Sequence, residues 1–198
     1  MNTQPRAFIF LAEGFEITEA MAPADILIRG GIELNIISIG STHAVTSAQR
    51  ISVNAESTLE EYPLDDIRKE DIMIFPGGMP GTSNLAECAP LMNRMQRHFA
   101  EGGTVAAICA APGLVLSQLP LDEVVKAKGS LRMTCYEGFE PALTAKGVTI
   151  IDQRDGVVKD GNIITASGPG HAIAFGLKIL EHIAGTESSE TIAKALML

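Results

Sequence analysis

One run constrains this chain more than any other: Gly102-Gly103-Thr104-Val105-Ala106-Ala107-Ile108-Cys109-Ala110-Ala111-Pro112-Gly113-Leu114-Val115-Leu116. A short apolar run bracketed by two glycines and then by a proline is the pattern of a strand buried on both faces that turns straight into a helix. Cys109 falls on that turn. A side chain there is lifted above the sheet edge, beside the backbone N–H groups of the helix start. Those amides and the helix dipole favour a thiolate over a thiol. The flanking alanines and glycine suit a crowded turn. Taken alone, Cys109 reads rather as a small buried core cysteine, so the other segments decide between the two.

Taken in order, Arg6 to Ala12 reads as a buried strand. Glu13 to Glu19 is a loop entering a helix that runs to about Arg29, with Ile17, Met21, Ala24 and Ile28 at helical spacing and Gly30-Gly31 as its stop. Glu19 then lies in the first or second turn of a helix following the first strand, near the carboxyl edge of a parallel sheet, where ligands bind in open sheets. Alone it reads as a solvated carboxylate at a helix N-terminus, and Glu13 and Glu16 compete on the same grounds. Leu34 to Ile39 is a second strand and Ile51 to Val53 a short third. The acidic Glu56 to Glu70 segment predicts a turn and a short helix. Asp71 to Phe75 is a further buried strand that ends in Pro76-Gly77-Gly78-Met79-Pro80-Gly81. Adjacent glycines at a strand's carboxyl end let the backbone approach a ligand and aim N–H groups at it, with a plain tight turn as the alternative. Leu91 to Ala100 predicts an amphipathic helix with a basic face of Arg94, Arg97 and His98.

After the Cys109 turn, Ala111 to Gln118 reads as helix, Leu131 to Thr134 as a strand with Cys135 at its end, and Phe139 to Lys146 as a helix leading to Gly147 to Ile151. Val157 to Thr165 is a hairpin about an Asp160-Gly161 turn. Ser167-Gly168-Pro169-Gly170 opens a long helix from His171 to Ala184, and a last helix starts at Glu187. The alternation predicts one α/β domain over residues 1–198, a parallel-sheet sandwich with a late hairpin. Glu19, Gly77-Gly78 and Cys109 converge on one sheet edge. Acid or base, amide donors and nucleophile are the parts needed for covalent attack on a carbonyl.

Charge narrows the partners. With 15 Lys and Arg against 24 Asp and Glu, the net charge is -9. Such a balance repels nucleic-acid phosphates and anionic membranes unless a basic patch is concentrated somewhere, and none is visible. The polar start predicts no signal peptide, and no apolar run is long enough to span a bilayer, which points to a cytoplasmic protein. Three scattered cysteines (Cys88, Cys109, Cys135) make no disulfide framework. No Cys/His cluster suggests a metal site, and no cofactor is predicted.

Ala12-Glu13-Gly14-Phe15-Glu16-Ile17-Thr18-Glu19, Pro76-Gly77-Gly78, Ala106-Ala107-Ile108-Cys109-Ala110-Ala111-Pro112, Lys159-Asp160-Gly161-Asn162-Ile163-Ile164-Thr165 and Gly168-Pro169-Gly170 resemble, in that order, the DJ-one branch of the ThiJ/PfpI superfamily over nearly the whole chain. The resemblance implies a flavodoxin-like three-layer sandwich and a homodimer paired through the first helix, roughly Glu16 to Arg29, with Met21 and Ile28 as its apolar contacts. It also implies Cys109 as an oxidation-sensitive nucleophile, a protonated Glu19 bonded to its thiolate, and Gly78 and Ala110 as oxyanion-hole amides. The activities it implies are glutathione-independent glyoxalase or deglycase chemistry on small reactive aldehydes or glycated adducts, or redox sensing and stress chaperoning through oxidation of Cys109. The protease-like branch has a histidine after the nucleophile; Ala110 stands there, which argues against proteolysis. Where some relatives place a histidine near the nucleophile, this chain has Cys135, a candidate resolving thiol for an oxidised Cys109. His171 is the remaining imidazole candidate, with capping or packing at a helix start as the alternative reading.

Overall fold

The computed structural model describes residues 4–152, 154 and 156–198. The first half of the chain runs β1 (Ala7–Leu11), α1 (Ile17–Arg29), β2 (Leu34–Ser38), β3 (Ala44–Thr46), β4 (Ser52–Asn54), β5 (Ser57–Thr58), β6 (Ile72–Phe75), α2 (Gly81–Glu87) and α3 (Ala89–Ala100). The second half continues with β7 (Thr104–Ile108), α4 (Ala111–Leu114), α5 (Leu121–Lys128), β8 (Arg132–Met133), α6 (Pro141–Thr144), β9 (Thr149–Ile150), β10 (Val157–Asp160), β11 (Ile163–Ala166), α7 (Ala172–Ala184) and α8 (Thr186–Ala195). Seven strands form one sheet in the order β10-β11-β7-β6-β1-β2-β5. Every pairing is parallel except that of β10 with β11.

The strand sequences build the layers. Every residue of β1, β6 and β7 is buried, as strands covered on both faces require. Alternation divides them: Phe8, Phe10, Met73, Phe75, Val105 and Ala107 pack under α2, α3 and α4. Ala7, Ile9, Leu11, Ile74, Ala106 and Ile108 face α1 and α7. Helices on both sides of a mostly parallel sheet give the flavodoxin-like α/β sandwich.

At the opposite edge from the site, Asp71 fixes the amino ends of β1 and β6. It is fully buried and its carboxylate receives Arg6 Nη2 at 2.7 Å, Arg68 Nη2 at 2.8 Å and the backbone N–H groups of both arginines. Burial by itself would raise this carboxyl, but the hydrogen bonds from Arg6 and Arg68 outweigh it and hold it at about 2.

Several local expectations are corrected. The strand leading to Cys135 is not part of the main sheet; β8 pairs with β9 in a separate parallel two-stranded ribbon. The Ala111–Gln118 helix breaks into α4 and a 3-10 turn at Leu116–Gln118, as Gly113 and the β-branched Val115 weaken it. The helix about residues 139–146 shrinks to α6. The hairpin turn is Gly161-Asn162, because Asp160 pairs with Ile163 and the loop needs the positive φ of 62° that Gly161 supplies. The basic face of α3 points partly inward: Arg94 and His98 are buried, Arg94 on the carbonyls of Leu64 and Ile67 and His98 on that of Thr104. The elements β3, α2 and α5 carry too short or too polar a pattern to be expected.

Candidate active site

The centre of the site is the end of β7. Cys109 has φ of 65°, the left-handed region, which costs an L-residue roughly 1–2 kcal/mol. Neighbours hold it there: its N–H donates to the Ala166 carbonyl at 2.9 Å, and its carbonyl accepts the Tyr136 N–H at 2.8 Å. The elbow is therefore fixed from β11 and from the segment after β8. The sequence beyond is small because the space is small: a Cβ on Gly113 would stand 2.3 Å from the Phe139 carbonyl oxygen.

Glu19 reaches the same point from α1. Glu16 caps that helix, accepting the Glu19 N–H at 2.6 Å, so Glu19 is set on the first turn. It is 0% exposed. Oε2 accepts the Gly77 N–H at 2.8 Å. Oε1 has no hydrogen-bond partner, and the carboxyl faces Cys109 across Gly77, where an added Cβ would stand 2.5 Å from Glu19 Oε2 and 3.1 Å from Cys109 Sγ.

Gly77 and Gly78 complete the arrangement at the end of β6. A Cβ on Gly77 would fall 2.5 Å from Glu19 Oε2 and 2.6 Å from Cys109 Cβ, so only glycine lets acid and sulfur meet across it. Gly78 has φ of 90°, and a Cβ there would run into the backbone of Phe15 and Glu16. That contact zips the β6 loop to the entry of α1, with the Glu16 N–H on the Gly77 carbonyl at 2.8 Å. The backbone N–H groups of Ala110 and Gly78 favour the ionised Cys109 sulfur.

Electrostatics couple the pair. Burial pushes the Glu19 carboxyl up to about 7, the nearby Glu16 adds to this, and the hydrogen bonds from Cys109 and Gly77 oppose it. Burial, followed by the charge of an ionised Glu19, pushes the Cys109 thiol up to about 12, against the pull of the Ala110 and Gly78 amides. Between about 7 and about 12 the pair therefore holds one proton. On sulfur, it leaves a carboxylate with the Gly77 N–H and the S–H as donors. On Glu19, it removes the neighbouring charge and gives the thiolate three donors: the carboxyl O–H and the amides of Gly78 and Ala110.

The other candidates have different surroundings. Cys135 is fully buried in the layer under α3 and α4, whereas Cys109 borders the α1 and α7 layer. Burial pushes the Cys135 thiol up to about 12. Burial does the same to Cys109, and all three cysteines are free. His171 bonds through Nδ1 to Ser167 Oγ at 2.8 Å, with its ring against Gly156, and makes no hydrogen bond to Cys109 or Glu19. Glu13 accepts the Thr46 N–H at 3.0 Å; like Glu16, it serves the loop. Three contributors carry no sequence signal. They are the Tyr136 amide, the β3-β4 hairpin, whose Ala48 N–H binds the Phe15 carbonyl, and Gln49, bonded to the Ile17 N–H and to Glu16. Among the described residues, no group of three or more His, Cys, Asp or Glu is placed to hold a metal ion. No helix among them is long and apolar enough to cross a membrane.

Similarity to known proteins agrees with this architecture. The DJ-1/PfpI family profile matches residues 5–182. Protein dj-1beta of Drosophila melanogaster is 32% identical over 192 residues, 97% of this chain and 96% of that one. Glutathione-independent glyoxalase DJR-1.2 of Caenorhabditis elegans is 33% identical over 201 residues, covering 100% and 99%. The crystal structure of Drosophila melanogaster DJ-1beta superposes with a TM-score of 0.83 at 30% identity, covering 99% of each chain. The oxidized Toxoplasma gondii DJ-1 structure does so with 0.83 at 26% identity and 98% of each. On this match, the chain belongs to the DJ-1/PfpI family.

Proposed function

We propose that this protein is a cysteine-dependent, glutathione-independent glyoxalase or deglycase, acting on methylglyoxal or on its early adducts with amines and thiols. The observation that carries the reading is a fully buried Glu19 carboxyl set against the Cys109 thiol, with the Gly78 and Ala110 amides on the same sulfur. The relative named as a glutathione-independent glyoxalase supports it. In the reaction, the Cys109 thiolate adds to the aldehyde carbon, forming a C–S bond. The resulting oxyanion takes the Gly78 and Ala110 N–H groups as donors. Glu19 moves a proton from that carbon to the neighbouring ketone carbon through an enediol, so the aldehyde carbon is oxidised and the ketone carbon reduced. Water then cleaves the thioester, releasing lactate and returning the thiolate. Conversion of methylglyoxal to lactate is the direct assay; full turnover by Cys109→Ala would refute the mechanism.

A second reading has its own support in the raised Glu19 carboxyl: keeping its proton up to about 7, it can donate to a sulfinate on Cys109, as a redox sensor or stress chaperone requires. Intact-mass measurement after mild peroxide would then show two added oxygens on Cys109, and an adduct on Cys88 instead would refute it.

The same proposal includes a homodimer through α1, where Ile28 is 61% exposed, and a cytoplasmic setting, in keeping with free cysteines. A 21 kDa species persisting in sedimentation at micromolar concentration would remove the dimer.

A further inference from the structure

Two large apolar side chains stand at the surface beside the nucleophile, although most of this chain's large apolar residues are buried. Met79 is 50% exposed and Tyr136 is 49% exposed. Met79 lies two residues after Gly77, where an added Cβ would stand 3.1 Å from the Cys109 sulfur. Tyr136 gives its N–H to the Cys109 carbonyl, and its ring lies beside Gly168, where a Cβ would stand 3.4 Å from Cδ2. In the sheet, β7 lies between β6 and β11. Met79 extends from the loop after β6, and Gly168, with Tyr136 against it, from the loop after β11. The backbone that carries Met79 and the Tyr136 ring beside Gly168 therefore lie on opposite sides of the strand that ends at Cys109. Neither is needed to hold the fold: the Tyr136 hydroxyl has no hydrogen-bond partner among the described residues, and the Met79 sulfur meets only the Ser83 hydroxyl at 3.9 Å.

We propose that Met79 and Tyr136 form apolar walls on either side of Cys109 that select carbonyl compounds carrying an aromatic substituent, aryl-substituted 2-oxoaldehydes among them. The inference rests on the reading of Cys109 as a carbonyl-attacking nucleophile and adds the substituent that the site prefers. A methyl group covers little of either wall. An aryl ring stacks offset or edge-on against Tyr136 and meets the thioether of Met79, a favourable sulfur-aromatic contact.

The test compares kcat/KM for phenylglyoxal and methylglyoxal in the intact protein, Tyr136→Ala, Tyr136→Phe and Met79→Ala. The ratio favours phenylglyoxal in the unaltered protein, falls about tenfold in Tyr136→Ala and about threefold in Met79→Ala, and holds in Tyr136→Phe. A ratio unchanged in both alanine variants overturns the proposal. A second probe pair needs no turnover: the rates at which N-benzyl iodoacetamide and iodoacetamide alkylate Cys109. If no aldehyde is consumed but the benzyl preference falls in Tyr136→Ala, the walls stand and the carbonyl chemistry fails. If both aldehydes are consumed and neither ratio moves, the chemistry stands and the walls fail.

Discussion

Replacing Glu19 by glutamine separates the cost of burying an acid from the geometry that acid maintains. Glutamine is isosteric, so its carbonyl can still accept the Gly77 N–H and its amide can still donate to the Cys109 sulfur. The folded protein holds the Glu19 proton up to about 7, against 4.5 for an ordinary glutamate carboxyl. Between those two pH values the folded state binds more protons than the unfolded chain, so stability falls as pH rises. At about 1.4 kcal/mol for each pH unit, the window is worth about 3 kcal/mol. Glu19→Gln lacks this loss. Urea unfolding of both proteins from pH 4.5 to pH 7 should therefore show a stability difference that grows in favour of the variant, by about 3 kcal/mol across the window. Asp71 and the other titrating groups act in both proteins and cancel. A difference that is constant with pH would refute the reasoning, since it would mean Glu19 ionises at its ordinary value in the folded state. Turnover should move the other way, falling roughly 100-fold or more, because an amide cannot shuttle a proton.

Two further outcomes follow from the geometry. Gly77→Ala places a Cβ 2.5 Å from Glu19 Oε2 and 2.6 Å from Cys109 Cβ; thermal unfolding should register about 1–3 kcal/mol of overpacking and steady-state kinetics about a 100-fold loss from misplaced groups, and wild-type turnover would contradict the packing described. Asp71, held at about 2 rather than 3.8, contributes stability that is complete above 3.8 and lost as pH falls through about 2, worth about 2 kcal/mol; acid unfolding of Asp71→Asn should lack that segment of the curve, and an unchanged acid limb would show that the arginine clamp is not what holds the carboxyl.

How much of this was legible in the sequence depended on whether a pattern was local. Strands such as Ala7–Leu11 and Thr104–Ile108 are read from uninterrupted apolar runs, and the elbow at Cys109 from the small residues that must surround it. Glu19 could be placed on a helix after the first strand, yet nothing in the local pattern distinguishes it from Glu13 or Glu16. The difference lies in which of the three faces Gly77 and Cys109, a contact 58 residues away along the chain. The basic stripe of α3 misled because a guanidinium can be buried when backbone carbonyls receive it, as those of Leu64 and Ile67 receive Arg94. The run that ends at Cys135 reads as a further strand of the parallel sheet. A two-residue strand pairs wherever its flanks dock, and β8 docks on β9. Tyr136 was passed over for a similar reason: its tie to the elbow runs through its backbone N–H, which every residue but proline has.

The central claim is that Glu19 and Cys109 titrate as one coupled pair, with burial holding the carboxyl proton up to about 7 and burial together with the charge of the ionised carboxyl pushing the thiol up to about 12. A pH titration of thiolate ultraviolet absorbance in the unaltered protein and in Glu19→Gln, with Cys109→Ala as the blank, addresses it directly. The thiolate signal is expected at lower pH in Glu19→Gln, where no carboxylate stands beside the sulfur. The same midpoint in both proteins would contradict the coupling.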